Sequence, residues 1–172
     1  MKSLCGLLLA GLILAVAGCA TPPPPPTRLE SANVLPLDLN ENFQFRKVQL
    51  FFNDPDTYQP TTSETINFYR KYLNYGAVTK HERDMLTGNY FAFFWRARER
   101  ADITVRLEYR QGTLGNQVMA LEQYYPGAKG SVKTEFRVTG DDYFEFGQVT
   151  QWRVLLIVDG RIVAFRQSFM WR

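Results

Sequence analysis

QVTQWRVLLIVDGRIVAFRQSFMW, residues 148–171, sets two apolar runs on either side of Asp159-Gly160. A two-residue Asp-Gly loop between such runs is the preferred type I′ hairpin turn. Counting outward from it places Leu156 opposite Val163, Val154 opposite Phe165 and Trp152 opposite Gln167. One face then collects Trp152, Val154, Leu156, Val158, Val163, Phe165, Phe169 and Trp171, and that face is expected to be core. The same register sets Arg153 across from Arg166 on the other face, where like charges repel. Either an acidic neighbour or solvent relieves the pair, or the two arginines form a fork that grips a phosphate or carboxylate of a partner in bidentate fashion.

Further strands follow from period-two patterning. Ile103 to Arg110 alternates apolar and polar side chains without a miss. Ser131 to Val138 does the same, with Val132, Thr134, Phe136 and Val138 on one side. Gly88 to Arg96 (GNYFAFFWR) is apolar on both faces, as in a strand covered twice. Phe43 to Phe52 and Gln117 to Tyr125 complete the set. Residues 61–75 admit two readings. Thr61 and Glu64 have capping-box spacing, and Ile66, Tyr69 and Leu73 would share a helical face. Yet Ile66, Phe68, Arg70 and Tyr72 nearly alternate, and the demand for sheet partners favours a strand, with one short helix near 62–74 as the alternative.

Seven or eight strands at short spacing, punctuated by Gly112, Gly115, Gly127, Gly130, Gly140 and Gly147, point to an all-β chain folded as a single two-sheet antiparallel sandwich. The last hairpin, WRVLLIVDGRIVAFRQSF, resembles the final strand pair of immunoglobulin-like or fibronectin type III-like domains. The resemblance implies the architecture alone, since the cysteine pair of antibody domains is missing.

Thirteen Phe, nine Tyr and three Trp fit that reading, because aromatic side chains suit a half-buried pleated surface. The formal charge of +3 is close to balanced. Nucleic-acid binding would call for a concentrated basic stripe on a recognisable fold motif, so no nucleic-acid partner is expected.

Residues able to do chemistry are few. The single histidine, His81, sits in the charged stretch Lys80-His81-Glu82-Arg83-Asp84, expected to be a solvated loop. Asp141, Asp142 and Glu145 fall in GDDYFEFG, residues 140–147, where carboxylates suit calcium or ordinary turn chemistry. No catalytic residue, metal or cofactor is expected. The remaining lead is aromatic. Tyr124-Tyr125-Pro126, Tyr143-Phe144 and Tyr58 are placed in or near loops, where rings stack on sugars or anchor a protein partner. The candidate binding patch is Arg153, Arg166, Tyr124 and Tyr125.

The N-terminus has a basic start (Met1, Lys2), an uncharged apolar stretch from Leu4 to Ala17, and Gly18 before Cys19. This is the form of a secretory signal, and it is short of the roughly 20 residues a membrane span needs. Val16-Ala17-Gly18-Cys19 resembles the lipobox of bacterial lipoprotein precursors. That resemblance implies cleavage before Cys19, diacylglycerol on its sulfur, and loss of Cys5 with the leader. Ala20 is not aspartate, which by enterobacterial usage leans toward the outer membrane. Pro22 to Pro26 then form a stiff spacer.

The domain expectation is therefore 1–18 signal peptide, 19–40 lipidated cysteine and Pro-rich linker, and 41–172 β-sandwich. The functional expectation is an outer-membrane-anchored lipoprotein of the cell envelope. It has no enzyme activity and meets an envelope protein or glycan besides the membrane that holds its lipid. Its alternatives are a carbohydrate or peptidoglycan binder using the loop aromatics, and a hydrolase using the acidic stretch.

Overall fold

A computed structural model describes residues 24–29, 31–57 and 59–171. Their elements run β1 (Thr27–Leu29), β2 (Phe43–Asn53), α1 (Glu64–Asn74), α2 (Lys80–Leu86), β3 (Gly88–Gln111), β4 (Met119–Thr139), α3 (Asp141–Phe146), β5 (Val149–Val158) and β6 (Arg161–Gln167). The chain is mostly β, and the six described strands form one antiparallel sheet.

Two long strands organise it. The alternating runs at 88–96 and 103–110 are halves of β3, and those at 117–125 and 131–138 are halves of β4. The two strands pair from Gly88↔Thr139 to Tyr109↔Met119, with irregular register between Ala97 and Ile103. Opposite that irregularity Gly127 and Gly130 take φ of +54° and +91°, backbone that costs glycine little. Both strands bend there. The first half of β3 takes β2 as its other neighbour, and the second half takes β5. β6 extends the sheet beyond β5, and β1 lines the far edge of β4.

The bend lays one half of the sheet over the other. Phe91, Phe93, Trp95 and Ala97 from one half of β3 share a core with Ile103, Val105, Leu107 and Tyr109 from the other. The fold is thus all-β, antiparallel and sandwich-like, as expected, with fewer and longer strands. Its layers are joined by β3 and β4, whereas an immunoglobulin-like sandwich keeps two separately bonded sheets.

At the final hairpin Asp159 and Gly160 take φ of +49° and +72°, the paired positive values of a type I′ turn. The register beyond it corrects the expectation. Val158↔Arg161 and Ile157↔Ile162 are followed by Leu156↔Ala164, Leu155↔Phe165, Val154↔Arg166 and Arg153↔Gln167. A bulge at Val163 adds one residue to β6 and slips every later pair by one. Val154, Leu156 and Val163 are core, Trp152 is half-buried, and Phe165 and Phe169 lie in solvent. The opposite face of β5 is covered too: Leu155, Ile157 and Ile162 pack with Leu35.

That cover comes from residues expected to be linker. Thr27–Leu29 is a strand on β4, and Pro36, Asp38 and Asn40 exchange backbone hydrogen bonds with Ile162 and Val163. The linker bounds 19–40 are therefore too long, because three-residue strands and single bridges leave no periodicity to read.

Residues 64–74 are helical, correcting the preference for a strand. Asn67 clasps the entry, accepting from the Thr61 N–H at 2.8 Å and donating to the Thr61 carbonyl at 2.7 Å. The helix lies on the outer face of β2 and β3. Arg70 donates to the carbonyls of Phe52 and Gln59, and Tyr69 meets Phe51 edge-on. The charged stretch 80–84 is helix α2 instead of a loop, started by a capping box in which Thr79 and Glu82 bond each other's backbone N–H.

Candidate functional site

An open groove is set by where residues 36–40 leave β6. Residues 36–40 run beside it: the Ile162 N–H donates to the Pro36 carbonyl at 2.9 Å, Asp38 to Ile162 at 2.9 Å, and Asn40 to Val163 at 3.0 Å. The Asn40 side chain then accepts from the Asn42 N–H at 2.9 Å and turns the chain into β2, which belongs to the other layer. From that point β2 pairs with β3 and β6 with β5. Between β2 and β6 lies an open groove of about 900 Å³, with Phe43, Phe45 and Val163 as its apolar floor and Glu41, Arg46 and Arg166 at its rim.

Among the described strands β2 pairs with β3 alone and β6 with β5 alone. Both walls of the fork are therefore sheet edges: residues 36–40 cover that of β6 at Ile162 and Val163, and past that point no other described strand pairs with either wall. An apolar floor between strand edges is the kind of surface on which extended polypeptide can add as a strand.

The candidate patch is not assembled. Arg166 pairs with Val154 and reaches the fork, whereas Arg153 points to the opposite face of the sheet. Tyr125 lies inside β4, buried, with its ring edge-on to Trp95 at 5.4 Å. Tyr124, its neighbour, is exposed. Neither tyrosine is in a loop, because the Gly127–Gly130 stretch bends a continuous strand instead of ending one. Cys19 and Tyr58 lie outside the described residues.

Arg153 instead belongs to a charged network under the 31–35 segment. Its Nε donates to Glu108 Oε2 at 3.0 Å, Arg106 Nη1 stands 3.7 Å from Glu108 Oε1, and Arg106 Nε donates to Glu122 Oε1 at 2.5 Å. Arg106 also donates to the Asn33 carbonyl at 2.9 Å. The guanidiniums of Arg110 and Arg153 stack on the ring of Trp171, 5.0 and 5.1 Å from its centre. A cavity of about 370 Å³ adjoins them. Period-two reading sends Arg106, Glu108 and Arg110 to solvent. The available signal was Arg-x-Glu-x-Arg on one face of β3, a row that makes sense when its charges pair with one another under cover.

The acidic stretch 140–147 forms the short helix α3. Asp142 pairs with Arg28 of β1 at 2.6 Å, and its carbonyl accepts from the buried Gln111 amide at 2.9 Å, so its roles are structural. Tyr143 packs on Phe52 and Phe144. His81 is exposed on α2. Among the described residues no three His, Cys, Asp or Glu side chains gather as a metal site.

One further polar cluster sits under α1. The Tyr69 hydroxyl donates to Glu135 Oε1 at 2.9 Å, and Lys133 Nζ stands 2.5 Å from the same oxygen. Burial, reinforced by the adjacent carboxylate, pushes Tyr69 up to about 12. Burial raises Glu135, but the Lys133 and Tyr69 bonds with the charges of Lys133 and Arg137 outweigh it and hold its carboxyl below the usual range.

No family model, curated protein or solved structure matches this chain. Its class rests on its own geometry: an all-β, sandwich-like domain with an open groove between two sheet edges.

Proposed function

We propose that the chain is a bacterial envelope lipoprotein, lipidated on Cys19 and held at the outer membrane. Its domain is a non-enzymatic module that receives an extended segment of another envelope protein between β2 and β6. The observation that carries the binding role is the fork: the edges of β2 and of β6 beyond Val163, which no other described strand pairs, border a groove floored by Phe43, Phe45 and Val163. Main-chain bonds along an added strand supply affinity, and alternate side chains entering the floor supply selectivity. The anchor rests on the Val16-Ala17-Gly18-Cys19 lipobox and the apolar leader before it.

Photoreactive residues placed singly at Gln44 and Phe165, one on each wall, test this reading in intact cells. Both should capture the same envelope protein, while the same probe at exposed Arg137 on β4 should not. No adduct at either wall, or equal capture from Arg137, would contradict it.

A further inference from the structure

The path of the tether fixes which end of the domain meets the bilayer. In β1 Thr27 pairs with Glu122, so the chain read backward from Thr27 advances along β4 toward its bend. The Pro24 carbonyl still lies on this line, accepting from Gln123 Nε2 at 3.0 Å. Cys19 is five residues farther back. At no more than about 3.6 Å per residue, that length keeps the Cys19 Cα within about 18 Å of that of Pro24.

The bend near which the tether leaves is cationic. Arg96, Arg98 and Arg100 of β3 and Lys129 of β4 are all exposed there, against the carboxylates of Glu99 and Asp102. Among the described residues none of the four cations forms an ion pair. Asp102 is already engaged, accepting from the Gly127 N–H at 2.7 Å. Arg100 donates to the Gly127 carbonyl at 3.1 Å, which holds that side of the bend together.

We infer that this bend is a docking surface for the anionic phospholipid headgroups of the membrane that holds the acyl chains. The inference rests on the lipoprotein reading for the position of the bilayer. Guanidiniums grip phosphate oxygens bidentately, and surface attraction acts within a Debye length of roughly 8 Å at physiological salt. A tether of this length lets the bend come into that range. Docking there would also orient the domain instead of leaving it free to turn about its anchor.

Two cysteine reporters in the mature chain test the surface: Ser131→Cys, exposed next to Arg96 on the ladder, and Asn116→Cys, exposed in the connection from β3 to β4. The protein is extracted from membranes and reconstituted in vesicles of phosphatidylcholine alone or mixed with phosphatidylglycerol. A water-soluble maleimide should label Ser131→Cys several-fold more slowly in the anionic vesicles. High salt, or the triple variant Arg96→Gln/Arg98→Gln/Lys129→Gln, should abolish the difference, and Asn116→Cys should react equally in both. Equal labelling of Ser131→Cys in the two vesicles would overturn the inference. Mass spectrometry of the N-terminal peptide reads the anchor separately. Should Cys19 prove unmodified, the lipoprotein reading falls, and co-sedimentation of that same chain still decides the bend: salt-sensitive pelleting with anionic vesicles alone supports it, and pelleting with neither refutes it.

Discussion

Arg153 reaches from β5 across to Glu108 on β3, its Nε 3.0 Å from Oε2, and so neutralises a carboxylate that is 4% exposed. Its partner across the hairpin is Gln167, and Arg166 lies on the other face. Removing one member of a buried pair strands the other, at a cost of about 3–5 kcal/mol. Glu108→Ala should fall toward the lower end of that range, since it leaves Arg153 without its carboxylate and Arg106 with Glu122 alone. Arg153→Ala should cost less, because Arg106 stays beside Glu108 and the Arg153 side chain is one-third exposed. Urea unfolding of the two variants checks the order.

Trp95 Nε1 donates to Thr134 Oγ1 at 2.9 Å, and that hydroxyl donates to the Tyr125 oxygen at 2.8 Å, all within the core. Thr134→Val keeps the shape and leaves a buried indole N–H without its acceptor, for a loss of about 1–3 kcal/mol. Trp95→Phe removes the donor. The double variant should lose less than the sum of the singles, which a double-mutant cycle measures directly.

Gly88 and Gly160 both have positive φ, for different reasons. A Cβ on Gly88 would stand 2.3 Å from the Val138 carbonyl oxygen, whereas one on Gly160 meets nothing within 4 Å. Gly160→Ala should therefore cost only its backbone strain, about 1–2 kcal/mol. Gly88→Ala must also push β3 from β4 and should cost clearly more. Thermal melts of the pair suffice. Unchanged stability for Gly160→Ala would rule against the type I′ turn.

Tyr109 is fully buried in the core, and burial pushes its hydroxyl up to about 12 from an ordinary value near 10. Below pH 10 both folded and unfolded chains keep the proton, and stability is unaffected. Between pH 10 and about 12 the unfolded chain alone ionises, so stability falls as pH rises. Two pH units correspond to about 3 kcal/mol. The Tyr109→Phe variant should show a shallower alkaline decline than the parent, followed by chemical denaturation at stepped pH. Parallel declines would contradict this.

Legibility in the sequence tracked the range of the interaction that decides each feature. The alternation of Ile103 to Arg110 and Ser131 to Val138 is local, so their inner faces could be read directly. Their fusion into two long bent strands was hidden, because Gly127 and Gly130 look like turn residues and only pairing with Ala97 to Ile103 makes them a bend. The bulge at Val163 has no local signature, and a slip of one residue sends every later side chain to the other face. That single slip produced the mistaken Arg153–Arg166 pair. Residues 61–75 misled through β-branched and aromatic content, while the Asn67–Thr61 clasp and the docking of Arg70 decide for helix. The fork was illegible for a related reason: its walls meet through Pro36 to Asn40, a stretch without periodicity.

The most direct test of the anchored-module account is the distribution of the mature protein in a detergent phase separation, with the mass of its N-terminal peptide measured alongside. Wild-type protein should enter the detergent phase and carry acyl chains on residue 19, and Cys19→Ala should either appear in the aqueous phase or remain an uncleaved precursor. Mature wild-type protein found in the aqueous phase with an unmodified Cys19 would contradict the account.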